Sequence, residues 1–177
     1  GDSPAVKNRA LAAAIAPSYK IHVIPVGVDT VRFDPTHYVR RRGPRLCIGT
    51  VARLVPEKGI DRLLELTWAV CQHLPIHVII VGDGPARARL EAQAREIHEF
   101  VGDQVDVRPW LAEMDLFVLP TMREGCSVAV MEAMSMAVPV VVTDLPAFDD
   151  LVIHERTGWR VQPMQWMTSL LWLLASP

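Results

Sequence analysis

The chain has 177 residues, the length of one domain with a full core. Half of its residues are apolar and 21% are charged, a balance that excludes disorder, collagen-like repeats and coiled coil. The 18 basic residues face 20 acidic ones for a net charge of −2, which excludes a strongly basic nucleic-acid binder.

The first twenty residues are rich in alanine and lack the apolar core of a leader peptide. The one basic cluster, Arg40, Arg41, Arg42 and Arg45 around Gly43-Pro44, reads as a solvated loop. Leu46 to Val51 is apolar on both parities, the pattern of a strand buried on two faces. Ile60, Leu63, Leu64, Thr67, Val70, Cys71 and Leu74 follow at helical spacing. Ile76 to Val81 is a second buried strand, and Gly82-Asp83-Gly84-Pro85 turns the chain into a helix striped by Leu90, Ala94 and Ile97. In that turn Pro85 suits the first helical turn and Asp83 suits a cap.

A short strand near Phe100 and Val101, a short helix over 109–113 and a strand from Leu116 to Leu119 come next. The helix expected over 127–137 is apolar almost all round and so deeply buried. Val138 to Val142 reads as a strand, 146–152 as one helical turn, 158–161 as a strand and 164–174 as a last helix. Strands alternating with helices imply βαβ units, hence an α/β fold with a Rossmann-like doubly wound parallel sheet.

Ligands of such sheets bind beyond the carboxyl ends of the strands. The loop after the first strand carries Arg53 and Lys58, a forked cation and a point charge suited to a diphosphate, or else two solvated loop charges. Glu124-Gly125 follows the strand 116–119, and Glu132 lies eight residues on, inside the apolar helix. An acid there needs a partner. The two carboxylates either grip hydroxyls at the ends of an elongated ligand or serve as one loop acid and one core acid. Between them the N–H groups of Cys126, Ser127 and Val128 open a helix and suit a phosphate.

These residues resemble the C-terminal, donor-binding domain of family four retaining glycosyltransferases of the GT-B fold. The resemblance runs from Ile21 to Val161: Ile21 to Asp29 is similar to the motif opening that domain, Val51 to Gly59 to its phosphate loop, and Val81 to Pro85 to its glycine turn. Asp115 to Pro120 is similar to its DLFVLP strand, and Glu124 to Met134 to its EX7E motif. The resemblance implies that Arg53 and Lys58 hold the donor diphosphate, Glu124 and Gly125 the transferred sugar, Glu132 the ribose, and Gln104 and Val105 the base. Glu124 would be the catalytic carboxylate. It further implies a UDP-, GDP- or ADP-sugar as substrate, no metal and no other cofactor, an acceptor of unknown kind, and retention of anomeric configuration. Residues 1–20 would be the end of an acceptor domain, 21–163 the donor domain and 164–177 a truncated terminal helix.

The chain departs from the family at Val26, Ala52, Ala137 and Asp150. Ala52, in place of a glycine before Arg53, sets a methyl group where backbone approaches phosphate. A non-catalytic Rossmann-like scaffold, or another GT-B activity such as a phosphorylase or epimerase, are the alternative readings. Three scattered cysteines without CxxC spacing indicate neither a disulfide framework nor a zinc site. Cys126 reads as a half-buried thiol, and a cytoplasmic setting is expected. The bulky helix 164–174 packs on this domain or a neighbour, or touches the inner face of a membrane.

Overall fold

A computed structural model describes residues 4–39 and 43–175. Arg40, Arg41 and Arg42 lie outside the described residues, as do Asp2 and Ser3. In chain order the elements are α1 (Pro4–Ala12), β1 (Leu46–Val51), α2 (Ile60–Val70), β2 (Ile76–Val81), α3 (Arg87–Gln93) and β3 (His98–Gly102). Then come α4 (Arg108–Glu113), β4 (Leu116–Leu119), α5 (Val128–Ser135), β5 (Val140–Thr143), β6 (Trp159–Val161) and α6 (Trp166–Ala175).

The six strands form one sheet in the order β3-β2-β1-β4-β5-β6, and every pairing is parallel. The expected doubly wound α/β architecture is therefore present. Alternate residues of each strand enter different cores, which explains the apolar runs. Ile48, Val78, Ile80, Leu116, Val118 and Val141 pack with α2, Leu90 of α3, and α6. Cys47, Ile79, Val81, Phe117, Leu119, Val140 and Val142 pack on the other face with Leu111 of α4, Val130 and Ala133 of α5, and Phe148. α6 seats Trp166 and Leu170 in the first core while Met164 and Trp172 stay exposed.

The strand order reverses between β1 and β4. That seam is closed by Asp115, whose Oδ2 accepts the Cys47 N–H at 2.7 Å and whose own N–H donates to the Cys47 carbonyl at 2.7 Å.

Element ends differ from expectation for local reasons. α3 stops at Gln93 because Ala94 turns extended (ψ 159), so Ile97 leaves the helix and its carbonyl accepts the Val78 N–H. Pro85 precedes the helix in a turn closed by the Arg87 N–H on the Gly84 carbonyl. Asp83 is no cap: it accepts from the Gly84 N–H and pairs with Arg87. α5 ends at Ser135, and Ala137 takes a left-handed conformation (φ 54), the helix-ending position that favours glycine. β5 starts at Val140 because Pro139 has no N–H, although its carbonyl accepts from Phe117.

The deep burial expected for α5 is also corrected. Within it only Val130 and Ala133 are buried, since the sheet covers one face alone. At its end the helix meets the segment holding Phe33, whose carbonyl accepts the Ser135 hydroxyl at 2.8 Å.

Candidate functional site

A cleft of about 540 Å³ opens at the carboxyl ends of the strands, astride the seam between β1 and β4. Ala52, Arg53 and Lys58 line it from the β1 exit, and Gly82 and Asp83 from the β2 exit. Asp103, Gln104 and Val107 come from the loop after β3, and Glu124, Cys126, Ser127 and Val128 from the loop and helix start after β4. This is where a doubly wound sheet of this order binds ligands.

Lys58 ends a 3-10 turn, Pro56–Lys58, and hands the chain to Gly59 in the left-handed region (φ 66). Its ammonium meets Oε2 of Glu124 at 2.6 Å, with the Lys58 side chain 23% and the Glu124 side chain 9% exposed. The other Glu124 oxygen accepts the Gly125 N–H at 3.1 Å. The carboxylate thus faces the cleft with both oxygens held. Arg53 is exposed, and its guanidinium makes no ion pair or hydrogen bond among the described residues. Ser127 precedes α5 and is buried, but its side chain caps no N–H, and the first turn holds no acidic residue. A helix start left this way favours an anion.

Glu132 lies on the second turn of α5, half-buried and outside the cleft lining. Burial pushes its carboxyl pKa up, and the positive charge of Arg32 opposes that only in part. Its side chain makes no hydrogen bond or ion pair among the described residues. Gln104 lines the cleft while its amide donates to the Val101 carbonyl at 3.3 Å. That fold-back turns Val105 outward, fully exposed and away from the cleft; Val107 lines it instead. Asp83, expected as a helix cap, also lines the cleft, its carboxyl held below the usual range by the hydrogen bond from Arg87. Asp103 belongs to the loop after β3, one of the places where such a sheet binds ligands, whereas nothing in the sequence singles out Val107.

A second cavity of about 350 Å³ adjoins, between Arg9 of α1 and the loops holding Met122, Arg123, Leu145 and Pro146. Glu124 lines both spaces and so stands on the wall between them. Among the described residues no group of three or more His, Cys, Asp or Glu side chains is placed to hold a metal ion. No helix among them is long and apolar enough to cross a membrane.

A parallel sheet of this order with a cleft at its switch point has the Rossmann-like architecture of a GT-B domain. The chain belongs to the group 1 glycosyl transferases, whose family model matches residues 45–176. It is 36% identical over 138 residues to the putative teichuronic acid biosynthesis glycosyltransferase TuaC of Bacillus subtilis, covering 73% of this chain and 34% of that protein. It is 34% identical over 147 residues to a GDP-mannose-dependent alpha-mannosyltransferase of Mycobacterium tuberculosis, covering 78% and 38%. Among solved structures, Anabaena Alr3699/HepE in complex with UDP and glucose superposes with a TM-score of 0.83 at 21% identity, covering 98% of this chain and 51% of that one. The chain thus spans about a third of the length of these curated relatives.

Proposed function

We propose that this chain is the donor-binding part of a retaining glycosyltransferase that passes a hexose-type sugar from a nucleotide to an acceptor. The observation that carries the reading is the convergence of Arg53, Lys58, Glu124 and the start of α5 on one cleft at the switch point. Arg53 and Lys58, with the N–H groups of Cys126, Ser127 and Val128, hold the diphosphate. Glu124 and Gly125 hold the sugar, Glu132 the ribose, and Gln104 the base, with Val107 at the cleft wall in place of Val105. Negative charge grows on the diphosphate as the glycosidic bond breaks, and fixed cations with a helix start stabilise it without a metal. The acceptor hydroxyl enters from the second cavity beside Glu124 and attacks the anomeric carbon on the face the diphosphate leaves; its oxygen forms the new bond as the carbon–diphosphate bond breaks, and its proton passes to the departing diphosphate oxygen.

The acceptor is a sugar, a lipid-linked molecule or another small molecule, and turnover requires a facing acceptor domain, so the domain alone is inactive. The setting is cytoplasmic, with the exposed Trp172 and Met164 of the α6 region available to a membrane surface.

Relatives that use GDP-mannose or were solved with UDP frame the test. A melting-temperature panel of UDP-, GDP- and ADP-sugars should give stabilisation by one base class, since a ligand of the folded state raises stability by mass action. Arg53→Ala, Lys58→Ala and Glu132→Ala should each weaken binding about tenfold or more, the size expected for a charge-assisted contact. Absence of binding across the panel, or binding indifferent to all three substitutions, overturns the reading.

The Lys58–Glu124 ion pair is the one observation favouring a non-catalytic scaffold, in which both groups serve structure alone. On that reading Lys58→Met lowers the melting temperature and no nucleotide changes it.

A further inference from the structure

Resting on the donor-binding reading, we propose that Thr121 is a positioning residue that fixes the diphosphate loop and the sugar loop against one another. Thr121 is completely buried just beyond β4. Its Oγ1 lies 2.9 Å from the Glu57 carbonyl oxygen and 2.9 Å from the Arg123 carbonyl oxygen. Glu57 immediately precedes Lys58, and Arg123 immediately precedes Glu124. A hydroxyl carries one proton, so the two carbonyls share it. The Arg123 N–H approaches the same oxygen at 3.4 Å. One side chain therefore holds the neighbour of each charged group in the Lys58–Glu124 pair.

Two more contacts turn this bond into a joint. The Met122 N–H donates to the same Glu57 carbonyl at 2.8 Å. Gly59 is pressed so close to β4 that a Cβ on it would come within 2.2 Å of the Pro120 carbonyl oxygen. Both loops are thus referenced to 120–123, and Thr121 is the side chain that reads both at once. An apolar side chain of equal shape would take the buried hydroxyl's donor from the Arg123 carbonyl and one of two donors from the Glu57 carbonyl. The distance from the diphosphate cations to the sugar carboxylate would then be set loosely, and sites of this kind lose function on displacements of an ångström.

The test uses the 177-residue chain as wild type, Thr121→Val, Thr121→Ala and Thr121→Ser. Affinities for UDP and UDP-glucose, and for GDP and GDP-mannose, are measured beside the melting temperature and the hydrogen exchange of the Met122 amide. Thr121→Val should lower the ratio of sugar-nucleotide to nucleotide affinity about fivefold, the worth of one buried hydrogen bond, while Thr121→Ser keeps it. Met122 should lose protection in the valine variant and keep it in the serine variant. Thr121→Ala must repeat the result if the valine variant folds poorly. An unchanged ratio in both apolar variants, a serine variant that fails to restore it, or unchanged Met122 protection overturns the proposal. If the wild type binds none of the four ligands, the donor reading falls. The joint is then decided by Met122 protection alone: lost in valine and kept in serine upholds it, and any other pattern overturns it.

Discussion

Lys58 and Glu124, separated by 66 positions in sequence, hold each other at 2.6 Å across the seam between β1 and β4. In the proposed reaction one of them binds diphosphate and the other binds sugar, so the cation that would receive the diphosphate is paired with the carboxylate beside it. Glu124→Gln should therefore tighten binding of a nucleoside diphosphate, which makes no use of the sugar contact, by about fivefold, the value of a partly buried ion pair. Calorimetry of UDP and GDP with wild type, Glu124→Gln and Lys58→Met checks it. Weaker binding by the Glu124 variant would show that the pair orders the site instead of competing for it.

Glu132 is expected to trade stability for recognition. Burial raises its carboxyl pKa in the folded chain, so the folded state holds its proton more tightly than the unfolded one. Stability then falls as pH rises from the unfolded carboxylate pKa through the raised folded value, and at pH 7 the charge is a net cost. Glu132→Gln should melt higher than wild type at pH 7 and lose that advantage below pH 4, while binding nucleotide more weakly. Paired melting curves at the two pH values decide.

His98 gives the opposite slope. Its Nδ1 accepts the Arg95 N–H at 2.9 Å, which leaves Nε2 protonated and 2.9 Å from the Thr67 hydroxyl. Burial, helped by the charge of Arg95, pushes its pKa from 6.5 down to about 4. The unfolded chain takes up a proton below pH 6.5 that the folded chain refuses until about pH 4, so stability should decline as pH falls across that window. A His98→Gln variant should show a flatter melting-temperature profile between those limits.

Ala137 sits at φ 54, where the chain leaves α5 for β5. A Cβ in that conformation is unfavourable by about 1 kcal/mol or more, partly offset by the freedom a glycine adds to the unfolded chain. Ala137→Gly should stabilise the chain by about 0.5 kcal/mol and raise its melting temperature by roughly 1–2 °C. A lower melting temperature would mean that the methyl group packs usefully there.

Much of this was legible in the sequence where burial has two sides. β1, β2 and β4 announce themselves because both parities of each strand face a core, and α2 because its apolar stripe is unbroken. The candidate site was legible as loops, since Arg53, Lys58 and Glu124 all follow such strands. The contact of Lys58 with Glu124 was not: it depends on β1 lying beside β4, which is far along the chain, and no local pattern encodes that neighbourhood. Nor did spacing reveal where Glu132 points or that Thr121 bonds to Glu57, because both depend on how the loops settle after the sheet has formed. The end of α3 escaped for a similar reason, Ile97 being drawn out of the helical stripe by its bond to β2.

The switch-point seam has a kinetic meaning as well. Joining β1 to β4 through Asp115 and Cys47 closes a loop of 68 positions, the kind of long-range contact that forms slowly. β1 to β3 can assemble from near neighbours, as can β4 to β6, but the cleft exists only once the two halves have met. A nucleotide bound there bridges both halves and should act on the rate of their separation, slowing unfolding while leaving the folding rate unchanged.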